Sequence, residues 1–341
     1  MVAVEDLVSL TIYSFTFLLG LPSNLLVLFV YVRKARKHGA TPSVVYALNL
    51  CVANVALVAW MPIKILETVL QAWALPPAMC PIYSFCLFSS LYGSSLFLTA
   101  VTVGRYLSVA FPITYKLYRR ARLSCVVSVI LWALVLLHLG LGLAVEQGGY
   151  FVSSVGGNGS NSLVCFENFT ESQLEFLMPL RLEMALFLFL LPLLITAFCT
   201  LRCVALVGRS CLPAGGKRRV LAIAFSTLAV FVVCYAPYNT SHVVGFVLKK
   251  SVSWRREAML TSSCNVFLEP LVMLMLSPAG PRGLCACLRD GTGTQRNPSL
   301  ANAHTMEPPT AVGQASASQT EGQRPTSTTA PPLDQPREAI G

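Results

Sequence analysis

The chain has 341 residues, of which 55% are hydrophobic and only 12% charged, with a formal net charge of +10 and a mean hydropathy of +0.64. So little charge cannot cover a soluble surface of this size, so the composition excludes an ordinary soluble domain and favours a membrane protein. The positive balance does not mark a nucleic-acid binder, because the Lys and Arg residues lie in short loops between apolar runs.

The first apolar run, Leu7–Val32, follows Glu5 and Asp6 and is followed at once by Arg33, Lys34, Arg36 and Lys37. It is too long for a signal-peptide core and has no basic stretch before it. It is predicted as a membrane helix with its basic end in the cytosol, which leaves residues 1–6 as an extracellular N-terminus. Six more runs follow: Val44–Leu70, Ile82–Ala110, Ser124–Val145, Leu177–Val207, Arg219–Leu248 and Glu257–Leu276. Each is close to or above the roughly 20 residues a helix needs to cross a bilayer. Seven crossings place three loops and the tail inside. The inner loops carry Lys116, Arg119, Arg120 and Arg122, then Arg209, Lys217, Arg218 and Arg219, so charge and span count agree. The third outer loop breaks the rule with Lys249, Lys250, Arg255 and Arg256, which calls for another role.

Most of the twelve cysteines lie singly in the apolar runs, where a free thiol behaves as a small apolar group. None has zinc-ligand spacing with histidines, so no metal is expected from them. Cys80 and Cys165 both face the oxidising side, and a disulfide between them is predicted. Asn158 and Asn168 head glycosylation sequons in the second outer loop, whereas the sequon at Asn239 lies inside a span and is set aside. Residues 277–341 are predicted as a cytoplasmic tail. From Arg289 it is rich in Pro, Ser, Thr, Gln and Gly, too polar to bury a core, and so expected to be disordered. Cys285 and Cys287, just past the last span, are candidates for palmitoylation.

An all-α bundle of seven spans, N-terminus outside, with a disulfide at the top of the third, resembles the rhodopsin-like G-protein-coupled receptors. The motifs that carry the likeness run from about Leu7 to Leu276. They are Asn24 of "GLPSNLLVL", Trp132 in the fourth span, Pro192 and Pro237 in the fifth and sixth, "CYAP" at Cys234–Pro237 and "EP" at Glu269–Pro270. "GRY", with Arg105 and Tyr106, falls at that family's Asp/Glu-Arg-Tyr site, where the likeness implies contact with a G protein. Gly104 supplies no carboxylate to hold Arg105, so looser restraint and raised basal signalling are expected, to be lowered by Gly104→Asp; plain snorkelling of Arg105 is the alternative. The switch region implied by the family comprises Tyr235, Pro237, Asn54, Ser94, Glu269 and Pro270. Tyr235 stands for the usual Trp. Asn54 and Glu269 have exchanged acid and amide. A sodium site at Ser94 and Glu269 and a protonated Glu269 bonded to Asn54 both stay open. Thr200 and Met273 replace tyrosines that usually support the active state.

At finer grain the chain resembles the free fatty acid receptors. "TPSVVYALNL" and "LWALVLLHLGL" look like the medium- and long-chain member, "VAFPITYKLYRR" is common to the group, and "LPLRLEM" and "PYNTSHVVGF" look like the short-chain members. The likeness implies that Arg181 and Arg255 bind the acid head group. Their chemistry agrees, since a carboxylate in a partly dry site is best held by bidentate guanidinium donors; two interfacial, snorkelling arginines are the alternative. Tyr92, His138, Tyr238, Asn239 and His242 are candidate ligand contacts, or ordinary packing residues. Glu146 and Glu167 match acids that pair with the arginines until a ligand arrives, or else are exposed surface acids. His242 and "LPLRLEM" favour short-chain acids over medium or long ones.

The implied partners are a free fatty acid, a heterotrimeric G protein of the calcium-mobilising or cAMP-lowering class, arrestin and membrane lipid, with no nucleic acid and no cofactor. The implied place is the plasma membrane. A receptor for another anion, such as a hydroxy acid or nucleotide, would use the same two arginines. An enzyme is not expected: a membrane hydrolase needs clustered histidines, and of His38, His138, His242 and His304 only two fall in spans. A transporter usually shows repeated halves, and none is seen.

Overall fold

The computed structural model describes residues 4–118, 120–145, 151–155, 161–165, 171–211 and 213–275. Span one is α1 (Val4–His38) and span two is α2 (Pro42–Val58) with α3 (Met61–Leu70). Span three is α4 (Met79–Ala110), followed by a short connecting helix, α5 (Pro112–Tyr118), and span four is α6 (Ala121–Val145). A hairpin of β1 (Phe151–Val155) and β2 (Asn161–Cys165) comes next, antiparallel, with Phe151 opposite Cys165. Span five joins α7 (Glu171–Met184), a π-helical segment (Ala185–Leu190) and α8 (Leu191–Arg209); span six is α9 (Ala214–Leu248); span seven is α10 (Arg255–Ser263) with α11 (Asn265–Met275).

Six of the spans are long and apolar enough to cross a bilayer. Span seven is two short helices of 9 and 11 residues that meet at Cys264, and α10 carries Arg255, Arg256 and Glu257. Exposed leucines such as Leu18 (65%) and Leu137 (61%) make up the lipid-facing surface.

Where the elements differ from the apolar runs, proline and charge explain it. Helix α1 continues through Arg33, Lys34, Arg36 and Lys37, because good helix formers carry the spiral past the apolar core while their charged ends stay wet. Span two was expected as one run. It breaks at Ala59 and Trp60, just before Pro62, which has no N–H to continue the ladder. The hairpin is the one departure from an all-helical fold among the described residues.

Lipid tails are as apolar as leucine, so packing and buried polar contacts hold the spans together. Span one meets spans two and seven at Gly20, where an added Cβ would lie 2.9 Å from Val266 Cγ1 and 3.3 Å from Val58 Cγ2. Gly93 admits the Trp132 ring in the same way. Polar side chains then take up carbonyls that prolines leave open. Asn24 Nδ2 donates to Val266 O at 2.7 Å, four residues before Pro270. Ser95 Oγ donates to Leu188 O at 3.0 Å, four residues before Pro192 and within the π segment. Trp132 Nε1 donates to Asn49 Oδ1 at 2.9 Å, tying span four to span two.

Candidate functional site

The sequence scatters its candidate residues over five spans, and the fold brings a subset together. Cys80 and Cys165 are joined in a disulfide that fixes the end of β2 to the start of α4. At this disulfide end of the bundle lie two buried arginines. Arg181, on α7, is 7% exposed, and Arg255, the first residue of α10, is 6% exposed. Arg255 Nη2 donates to Tyr238 Oη at 3.5 Å, and its guanidinium lies 5.8 Å from the Tyr238 ring centre.

Tyr238 packs edge-on against His242 with ring centres 4.5 Å apart, one helical turn along α9. His242 Nε2 and Tyr92 Oη are 3.3 Å apart, which links span six to span three. Both guanidinium charges are near enough to Tyr92 to act on it electrostatically. Five of the candidates, Arg181, Arg255, Tyr92, Tyr238 and His242, thus form one buried group of two cations above an aromatic floor. Chemically it offers charge-assisted donors for one small anion in a place screened from water.

Two others are placed elsewhere. Asn239 is buried, but its Nδ2 donates to Tyr235 O at 2.9 Å in its own helix. His138 Nδ1 lies 2.6 Å from Leu134 O; since a carbonyl only accepts, that nitrogen carries a proton. Its Nε2 is 3.4 Å from Glu183 Oε1 on α7. His138 and Glu183 also border a groove of about 790 Å³ between spans three, four and five, which passes Leu131 and Thr99 to Tyr115 and does not reach the two arginines. Glu146, Glu167, Asn158, Asn168, Cys285 and Cys287 lie outside the described residues.

The switch residues form a second buried cluster in mid-bundle. Ser94 Oγ donates to Asn54 Oδ1 at 3.0 Å, and Asn54 Nδ2 donates to Glu269 Oε2 at 3.2 Å. Tyr235 Oη donates to Glu269 Oε1 at 2.7 Å and accepts from Asn265 Nδ2 at 2.8 Å. Glu269 thus accepts hydrogen bonds on both carboxyl oxygens, one from Asn54 and one from Tyr235. A cation between Ser94 and Glu269 would compete with the Asn54 and Tyr235 donors. Pro237 and Pro270 lie inside α9 and α11. Ser262 Oγ donates to Cys234 O at 2.9 Å, joining spans six and seven near Pro237.

At the opposite end, Arg105 does have a partner: its Nη1 donates to Thr227 Oγ1 at 3.0 Å. Tyr106 packs edge-on against Phe111 and Phe198 at 6.4 and 6.1 Å between ring centres.

Residue-by-residue reading missed several partners. Glu67 in α3, only 3% exposed, accepts the Cys165 backbone N–H on Oε1 at 2.6 Å and pairs through Oε2 with Lys64 Nζ at 2.5 Å. Opposite charges three apart inside an apolar run were the available signal. Arg256 Nη2 reaches Asp6 Oδ1 at 3.2 Å, and Asp6 Oδ2 accepts from Gln71 Nε2 at 3.1 Å, so spans one, two and seven are tied at this end.

The rhodopsin family of seven-transmembrane receptors matches residues 23–273. Free fatty acid receptor 3 of Mus musculus is 38% identical over 268 residues, 78% of this chain and 82% of that protein. The chain belongs to the free fatty acid receptor family. Free fatty acid receptor 2 of Rattus norvegicus is 36% identical over 270 residues, 79% of this chain and 81% of its own length. Free fatty acid receptor 1 of Mus musculus is 38% identical over 294 residues, 84% of this chain and 97% of its own. These similar identities do not separate the members, in keeping with the mixed motifs. As in its family, this receptor is a multi-pass membrane protein of the rhodopsin-like fold.

Proposed function

We propose that the chain is a plasma-membrane receptor for free fatty acid carboxylates, with its N-terminus outside, that signals through heterotrimeric G proteins. The observation that carries this is the pair of buried arginines, Arg181 and Arg255, beside Tyr92, Tyr238 and His242. A carboxylate brings a negative charge to two positive ones and accepts their N–H groups in planar, bidentate fashion. The N-terminal end of α10, on which Arg255 stands, adds partial positive charge. In this reading Glu146 and Glu167 hold the arginines until the ligand arrives.

The acid is short. What supports this is that Tyr92 and Tyr238 pack with Tyr235, Phe231 and Leu188 in one buried cluster. Each methylene that must be accommodated there is worth about 0.8 kcal/mol when it fits and costs more when it does not. The preferred ligands have about two to six carbons.

Further parts of the reading belong to the other end. Arg105 and Tyr106 meet the G protein, the 277–341 tail meets arrestin, and Cys285 and Cys287 anchor it to lipid once palmitoylated. Asn158 and Asn168 carry glycans.

The test is G-protein activation in cells against straight-chain carboxylates from acetate to palmitate, with Arg181→Ala in parallel. A response that is strongest for short acids and lost in the variant supports the proposal. A long-chain optimum overturns the chain-length part. Silence at every length, with receptor at the surface and basal signal present, overturns the fatty acid part and favours another anion.

A further inference from the structure

Two arginines stand side by side at the start of α10, and their surroundings differ. Arg255 is buried and donates to Tyr238 on span six. Arg256 is exposed, and its Nη2 donates to Asp6 Oδ1 on span one at 3.2 Å. Consecutive helical residues point about 100° apart, so holding one side chain fixes where the other points. The place is a poor one for two cations. A helix N-terminus carries partial positive charge, and adjacent like charges repel. The N-cap residue, Trp254, makes no side-chain cap hydrogen bond. An anion from another element offsets this, and Asp6 supplies it.

Asp6 is itself held in place. It is 9% exposed and lies in the first turn of α1, where a carboxylate is favoured. Its Oδ2 accepts from Gln71 Nε2 at 3.1 Å, and the other hydrogen of that amide goes to Thr68 O at 2.7 Å, so both amide hydrogens of Gln71 are used. Gln71 reaches this position from a left-handed backbone, φ 53°, at the end of α3. That conformation is uncommon for a residue with a Cβ. Oδ1 is then left for Arg256.

We propose that Asp6 sets which of the two adjacent arginines enters the ligand site: by holding Arg256 against span one, it keeps Arg255 turned toward Tyr238. Asp6 is thus a positioning residue for carboxylate recognition, acting through Arg256 and the first turn of α10. The proposal rests on the carboxylate-receptor reading above. Without Asp6 the first turn can shift by one residue, and Arg256 becomes able to serve in place of Arg255. The shift stays within that turn, because Ala258 and Leu260 are buried further along the helix. The ion pair is partly exposed, so its own strength is modest. Its effect is on direction.

The experiment measures propionate-stimulated G-protein activation at matched surface levels. Arg255→Ala is compared alone, with Asp6→Ala, with Glu5→Ala, and with Asp6→Ala and Arg256→Ala together. Glu5, exposed beside Asp6, controls for the loss of one negative charge near the site. Asp6→Ala should return about tenfold in potency to Arg255→Ala, the lower end of what a hydrogen bond to a charged group is worth. Glu5→Ala should return nothing, and loss of Arg256 should abolish the gain. A merely structural role for Asp6 predicts further loss in place of recovery. No gain from Asp6→Ala, an equal gain from Glu5→Ala, or a gain that survives the loss of Arg256 overturns the proposal.

A second readout needs no signalling. Spin labels replace Glu175 on α7 and Glu257 on α10, both exposed, in purified receptor whose Cys125, Cys211, Cys285 and Cys287 are changed to serine. The distance distribution should shift in Asp6→Ala and stay unchanged in Glu5→Ala. If the wild type is silent to every carboxylate, the ligand reading fails by itself. The distances then decide on the choice between the two arginines, and identical distributions in wild type and Asp6→Ala reject it.

Discussion

The hydroxyl of Tyr235 donates a 2.7 Å hydrogen bond to the Glu269 carboxylate, joining span six to span seven at the centre of the bundle. Both side chains are buried, and each has a further partner: Asn265 donates to Tyr235, and Asn54 donates to Glu269. Two departures from the family pattern thus explain each other. A tryptophan at position 235 has no oxygen to accept from Asn265, so the tyrosine and the span-seven acid work as a unit.

Tyr235→Phe keeps the ring and removes the hydroxyl. It leaves Glu269 Oε1 and Asn265 Nδ2 buried without that partner. The expected loss of stability is about 1–3 kcal/mol, read as a lower unfolding midpoint of the purified receptor. Asn265→Ala in the same background should add little, because the partner is already gone. A fully additive second loss would show that the two do not act together.

Arg255→Lys keeps the charge and discards the planar fork. Carboxylate EC50 should rise by about tenfold or more, and by about 100-fold in Arg255→Ala, with smaller effects on basal signal. Dose-response curves at matched surface levels check this. Equal potency in the lysine variant would mean that the guanidinium acts only as a point charge.

His242→Ala removes the ring that packs on Tyr238 and faces Tyr92. Space opens below the arginines, so the preferred acid should lengthen by about one or two carbons, each worth about 0.8 kcal/mol. A chain-length series on the variant tests it. An unmoved optimum with uniformly weaker potency would give His242 a head-group role instead.

Glu67→Leu leaves the half-buried Lys64 without its carboxylate and the buried Cys165 N–H without its acceptor. Breaking one half of a buried pair costs about 3–5 kcal/mol, so surface expression should fall sharply. Lys64→Met/Glu67→Met should recover part of it, since the orphaned charge is then gone. Failure of the double variant to improve on Glu67→Leu would place the cost in the Cys165 bond and not in the ion pair.

The candidate site was partly legible in the sequence. Arg181 and Arg255 are marked by the likeness to the free fatty acid receptors, with which guanidinium chemistry agrees, and Cys80 and Cys165 because both face the oxidising side. His138 is a candidate contact by the same likeness, and its Nε2 lies 3.4 Å from Glu183 Oε1. Gly104 implies looser restraint of Arg105, because the family's usual partner is the preceding residue in the chain. The acceptor of Arg105 is 122 residues away.

What the sequence by itself determined was the set of apolar runs, their approximate ends, the charge asymmetry of the loops and the residue types in each span. These follow from local composition, because crossing a bilayer requires about 20 consecutive apolar residues whatever the neighbours are. Only the tertiary structure decided which polar groups meet: Arg105 with Thr227, Tyr235 with Glu269, Glu67 with the backbone of Cys165, and His138 with Glu183. Those pairings depend on the rotation and depth of each helix. Rotation and depth are set by close packing at places such as Gly20 and Gly93 and by the breaks at Pro62 and Cys264, where a shift of one residue turns a side chain by about 100°.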